Sequence, residues 1–217
     1  MNKRTFLNAS IIALTLALTG CQTAYYSAME SVGIHKRDIL VDRVEETKEA
    51  QETSQEEFQS ALERLTTLVN FNGGELKEVY EQLNDDYEAS LESANNVTNN
   101  INKVEDVAEA LFAEWTEELD LYKNASLKRE SAKKLTETKR QFSKLLRSMR
   151  SSESKMEPVL ASLQDNVLYL KHNLNAQAVA AIKGEFSNLK RDIQILLTDM
   201  NKSIDESNQF IADMNRN

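Results

Sequence analysis

The chain of 217 residues contains one cysteine, one proline, one tryptophan, two histidines and five glycines. A single cysteine excludes a disulfide or a multi-thiolate zinc centre within one chain. So little proline and glycine leaves few places where the backbone can turn sharply, so the elements must be long and the loops few. Strand-like alternation is absent, and Glu, Lys, Leu, Ala, Asn and Ser are abundant, which points to helix almost throughout. The net charge of -9 does not suit general nucleic-acid binding, and no nucleic-acid partner is expected.

The usual catalytic signatures are missing as well. His35 and His172 are far apart, and neither has a glutamate three residues before it, so the Glu-x-x-His pairs of di-iron bundles are absent. Solvated or helix-capping roles suit both. Gly33, Gly73, Gly74 and Gly184 do not form the ordered cradle that a phosphate-binding loop needs. No Gly-x-Ser-x-Gly elbow occurs either. We therefore expect no catalytic, cofactor-binding or metal-binding residues and no enzyme activity. An enzyme with an unrecognised site would have to show converging buried carboxylates.

What is present begins at the N-terminus. Lys3 and Arg4 precede an apolar stretch from Phe6 to Leu18, relieved only by Asn8, Ser10 and Thr15. That stretch is too short to span a bilayer and has the plan of a secretion signal. It ends in Leu18-Thr19-Gly20-Cys21, which resembles the bacterial lipobox, where the cysteine thiol accepts a diacylglyceryl group and becomes the first residue. Each buried methylene contributes about 0.8 kcal/mol, and several acyl chains give stable anchoring. The expected division is residues 1–20 as a removed signal peptide, 21–34 as lipidated Cys21 and a short tether, and 35–217 as one helical coiled-coil domain. Losing Lys3 and Arg4 makes the mature charge -11 over 197 residues. By resemblance to bacterial sorting rules, Gln22 after the cysteine implies the outer membrane, facing the periplasm.

Apolar residues then recur at alternating steps of three and four. One series runs Leu76, Tyr80, Leu83, Tyr87, Ser90, Ala94, Val97, Ile101, Val104, Ala108, Leu111, Trp115, Glu118, Tyr122, and another runs Leu135, Thr138, Phe142, Leu145, Met149, Ser152, Met156, Val159, Leu163, Asn166, Leu170. A period of 3.5 sustained this long is a coiled-coil seam. The first series keeps the asparagine-rich run 95–100 helical; the second crosses Pro158, which either kinks or breaks the helix. An earlier helix, about 36–70, carries Leu40, Val44, Phe58, Ala61, Leu65 and Leu68 with Thr47, Gln51 and Ser54 in mid-stripe. A last helix, about 176–214, shows Ile182, Phe186, Leu189, Ile193, Leu196, Met200, Ile204, Ile211 and Met214, with a phase slip near Met200. Turns are expected at Asn72-Gly73-Gly74, at Asn124-Ala125-Ser126 with Ser126 as helix cap, and at 173–175 or near Gly184. The fold class is all-α: an elongated antiparallel helical bundle or coiled coil of about four long helices, either monomeric or self-associated.

Charge is divided between the two middle helices. Residues 75–120 hold fourteen acids and two bases, while residues 123–150 hold ten bases and two acids. Folding at Asn124 should set Glu105, Asp106, Glu109, Glu114, Glu117 and Glu118 near Lys128, Arg129, Lys133, Lys134, Arg140 and Lys144, so that charge specifies the pairing. The rival reading makes 123–150 a polyanion-binding face. Tyr25, Tyr26, His35, Lys36 and Arg37 are candidate membrane-surface contacts. Gln51 and Asn166 either fix register or mark a ligand cavity.

The stretches Tyr25-Tyr26-Ser27-Ala28-Met29-Glu30, Gly33-Ile34-His35-Lys36-Arg37-Asp38, Leu68-Val69-Asn70-Phe71-Asn72-Gly73-Gly74, Glu105-Asp106-Val107-Ala108-Glu109-Ala110-Leu111-Phe112 and Leu170-Lys171-His172-Asn173-Leu174-Asn175-Ala176-Gln177 together resemble the DUF2959 family of proteobacterial proteins. The resemblance implies a helical envelope protein and carries over no catalytic residue. The expected function is a membrane-anchored scaffold or adaptor with an envelope protein partner or self-association. A bundle that holds a lipid or other apolar ligand is the alternative.

Overall fold

A computed structural model describes residues 25, 26, 28–71, 73 and 75–216. The signal segment, Cys21, and Asn72 and Gly74 of the first expected turn lie outside the described residues. No strand occurs among the described residues. Four long helices dominate: α1 (Lys36–Val69), α2 (Leu76–Glu118), α3 (Ala125–His172) and α4 (Ala176–Arg216), with a 3-10 turn at Leu119–Leu121 after α2.

The helices form an up-down-up-down bundle in which α1 packs on α2 and α4, and α3 packs on α2 and α4. At 1.5 Å per residue, the 48 residues of α3 extend about 72 Å. The expected seams make the core: Leu40, Phe58, Leu65, Leu83, Ile101, Leu145, Met149, Leu163, Ile193 and Leu196 are fully buried. The asparagine-rich run stays inside α2 because Val97 and Ile101 are buried beside it. Asn100 keeps its polar ends occupied locally, donating to Asn96 at 3.4 Å and accepting from Lys103 at 3.0 Å.

Pro158 does not break α3, which runs through it. The carbonyl deprived of its partner belongs to Ser154, which is exposed, so water can serve in place of the missing N–H. The last turn falls at 173–175, where Asn175 Oδ1 accepts from the N–H groups of Gln177 at 3.0 Å and Ala178 at 3.1 Å. Gly184 therefore lies inside α4. The cap of α3 is Asn124 rather than Ser126: Asn124 Oδ1 accepts from Ser126 N at 2.9 Å and Leu127 N at 3.2 Å. Gly73 adopts φ +132° in the first turn, a conformation open to glycine.

The expected phase slip in α4 is not there. The buried set Ile193, Leu196, Met200, Ser203, Ser207, Phe210, Met214 alternates three and four without interruption. Serines hold two seam positions, so a reading by hydrophobicity alone passed to Ile204 and Ile211. Ser207 is tolerated there because its hydroxyl donates back to the Ser203 carbonyl at 2.9 Å.

Candidate functional site

Two places in the bundle depart from a plain apolar core. The first is a buried polar band at mid-length, where Thr47, Gln51, Ser54, Ser90, Ser152, Ser203 and Ser207 are fully enclosed. Gln51 Nε2 donates to Ser152 Oγ at 3.0 Å, and Ser152 donates to the Met149 carbonyl at 2.8 Å. Ser93 Oγ donates to Ser54 Oγ at 3.2 Å. Gln51 Oε1 and Ser203 Oγ make no hydrogen bond. A band of this kind resists axial sliding, because any shift of one helix turns paired polar atoms against hydrocarbon. Asn166, the other expected cavity marker, turns back on its own helix and donates to the Ser162 carbonyl at 2.7 Å.

The second place is the end of the bundle where α1 begins. Residues 25–34 were expected in a tether, yet Tyr26 is 8% exposed and belongs to the core. Its ring meets Tyr25 edge-on at 5.4 Å and lies 5.9 Å beneath the Lys36 ammonium. Burial, and then the nearby charge of Asp106, push its phenol above the ordinary value. Tyr26, a candidate headgroup contact, has its ring largely enclosed by protein. Tyr25, at 43% exposure, stays accessible.

Lys36 bridges the segment to the hairpin, pairing with Glu30 and, at 3.1 Å, with Glu114 of α2. Burial opposes its charge, but the two carboxylates outweigh that and hold its pKa above the ordinary lysine value. Arg37 donates to the Met214 carbonyl and ties the first turn of α1 to the end of α4. Both cations are engaged within the fold. His35 is exposed, and its N–H donates to Asp38 Oδ2 at 3.3 Å, as a helix start requires. His172 ends α3 at the opposite end of the bundle.

Beyond this point α2 and α3 continue as a two-helix hairpin, with no fully buried side chain between Leu111 and Leu135. Trp115 Nε1 donates to Ser131 Oγ at 2.8 Å and ties the two helices of the hairpin together. Under the hairpin, a cleft of about 520 Å³ is lined by Leu111, Trp115, Tyr122, Leu127 and Met214, with Glu114 and Lys134 among its polar residues. The seam runs out here, leaving Glu118 exposed and Tyr122 at 42%, because α1 and α4 have ended.

The expected ladder of acids on α2 against bases on α3 forms only in part. Arg150 pairs with Glu105 at 2.6 Å and Lys128 with Asp120 at 2.9 Å, but Lys144 turns to Glu206 of α4 and Glu114 to Lys36. The reason is architectural: in a four-helix bundle each helix has two neighbours, so its charges are shared between both. Among the described residues Arg129, Lys133, Lys134 and Arg147 make no ion pair. No described helix is long and apolar enough to cross a membrane, and no three metal-ligating side chains cluster among the described residues.

No curated protein and no solved structure matches the chain. A family model described as a protein of unknown function, DUF2959, matches residues 25–214. The match starts at Tyr25, the residue with which the described part of the bundle begins. The chain belongs to the DUF2959 family.

Proposed function

We propose that the protein is a lipid-anchored, periplasm-facing scaffold or adaptor: a stiff helical body held at the outer membrane by Cys21, which presents helix faces to an envelope partner. The observation that carries this reading is the docking of residues 25–34 onto the bundle through Tyr26 and the Glu30, Lys36 and Glu114 cluster. Cys21 precedes Tyr25 by only four residues, so a lipid on that cysteine lies within a short reach of the bundle. The role is non-enzymatic and needs geometry and surface only.

Crosslinking in intact cells tests it, comparing the native chain with a Cys21→Ala form and identifying trapped proteins by mass spectrometry. A discrete envelope partner captured only by the anchored form is the expected result. An unchanged pattern after Cys21→Ala, or no partner besides the protein itself, contradicts the proposal.

A second reading draws on the cleft lined by Trp115, Leu127 and Met214, whose mixed apolar and polar walls suit an acyl chain or similar ligand. Native mass spectrometry of gently purified protein is its test, and repeated absence of a retained ligand counts against it.

A further inference from the structure

We propose that the tip of the α2–α3 hairpin is a second membrane contact, which dips into the lipid interface beside the anchor and stands the bundle upright on the bilayer. The proposal rests on the lipid-anchored reading above. It begins with an apolar cluster that nothing in the bundle covers. Leu121 is 77% exposed, Leu127 57% and Tyr122 42%, and Val32, at the same end, is 71% exposed. Leucines with a tyrosine, next to Lys123, make the mixed apolar and cationic edge that settles in the interfacial region of a bilayer.

The reach of the chain fits this pose. Tyr26 packs beside Lys36, and Tyr25 lies within interaction range of Arg43, so the described chain begins about a helical turn or two inward from the start of α1. From Arg43 back to Lys36 is about 10 Å along α1, and from Glu114, which pairs with Lys36, out to Leu121 is about another 10 Å. Four residues of chain, from Cys21 to Tyr25, can reach at most about 14 Å. A lipid-bearing Cys21 can therefore come no nearer to Leu121 than about 6 Å, and a tip that far beyond the anchor matches the roughly 5–10 Å to which interfacial apolar groups sink.

Charge decides between this pose and the obvious rival, a bundle lying on its side. Residues 25 and 26 pack against α1 and α2, so lying flat on the anchored side would press those two helices on the lipid. Together they carry 21 acids and 7 bases, and anionic headgroups repel such a face. The tip is close to neutral, with five bases and four acids between Trp115 and Leu135, and Asp120 is already paired with Lys128. Standing on the tip keeps the acidic flanks in water.

The test uses the full lipoprotein, reconstituted in phosphatidylethanolamine and phosphatidylglycerol vesicles with brominated acyl chains. Trp115 is the only tryptophan, so a Trp115→Phe background combined with Leu121→Trp, Leu127→Trp or Leu174→Trp gives single probes. Leu174 is 43% exposed at the far end and serves as the matched control. Circular dichroism checks that each form is folded, and two separate tip positions protect the test against failure of either. Strong loss of fluorescence from both tip probes, with none from the Leu174→Trp form, is the expected result. Equal quenching at all three positions, or none at the tip, in chains whose mass confirms the lipid on Cys21, overturns the proposal while leaving the anchor intact. A Cys21 that carries no lipid overturns both.

Discussion

Gln51 and Ser152 meet at the centre of the bundle, each fully buried, with Gln51 Nε2 donating to Ser152 Oγ at 3.0 Å. The other end of the same amide, Oε1, has no partner. The pair couples α1 to α3 across the diagonal of the bundle, in the layer that Ser203 enters from α4.

A buried amide that is half satisfied contributes less than its hydrocarbon replacement. Gln51→Leu, which keeps most of the volume, should leave the unfolding free energy unchanged or raised, whereas Gln51→Ala should cost about 2 kcal/mol through the void it leaves. Chemical denaturation of both variants checks this. A loss of more than about 2 kcal/mol for Gln51→Leu would show that the amide holds the layer together more strongly than its hydrogen bonds imply.

Phe142 touches two helices at once, edge-on to Phe112 at 5.6 Å and to Phe210 at 6.1 Å, and is 6% exposed. Phe142→Ala should destabilise by about 3–5 kcal/mol, the range for removal of a buried aromatic ring. Leu121→Ala, at the uncovered tip, should change stability in solution by less than about 0.5 kcal/mol. Denaturant midpoints of the two variants should separate widely; similar values would contradict the assignment of core and tip.

The clamp on Lys36 predicts a local effect. Lys36→Met removes the one cation that Glu30 and Glu114 share, at a partly exposed site, so global stability should fall by no more than about 1 kcal/mol. Amide hydrogen exchange in residues 28–34 should nevertheless quicken sharply, because that segment loses its tie to α2. Unchanged protection there would mean that Tyr26 alone seats the segment.

Acid should weaken the bundle at identifiable pairs. The hydrogen bond from Lys155 holds the Asp199 carboxyl below its ordinary value of 3.8, and the hydrogen bond from Lys36 does the same to Glu30, whose ordinary value is 4.5. A carboxyl lowered by folding contributes stability above its unfolded value and loses it as the pH falls through that value toward the folded one. Stability should be level above about pH 5 and decline below about pH 4.5. Asp199→Asn should weaken the protein at neutral pH, and its deficit against the native chain should shrink as the pH falls below the ordinary value of 3.8; a deficit that stays constant with falling pH would contradict the pairing.

Periodicity alone specifies most of the fold. Long seams through Leu83 to Leu111 and Leu135 to Leu170 survive because burial in a bundle enforces the 3.5 period, even across an asparagine run and a proline. Polar seam positions are harder to read. Hydrophobicity passes over Ser203 and Ser207, and only the unbroken count from Met200 to Met214 brings them into the seam. Charge patterning revealed that α2 and α3 pair, but not how each side chain divides itself between two neighbours. At the N-terminal end, an amphipathic ring next to a lipobox suits a headgroup contact, yet Tyr26 is buried with Lys36 over its ring, and no local pattern predicts that meeting.

The most direct measurement is the mass of the N-terminal peptide recovered from cell envelopes. The proposed function predicts a peptide that begins at Cys21 and carries diacylglycerol and an acyl chain, with residues 1–20 gone. A chain that retains Met1 to Gly20, or begins at Cys21 without lipid, would contradict it.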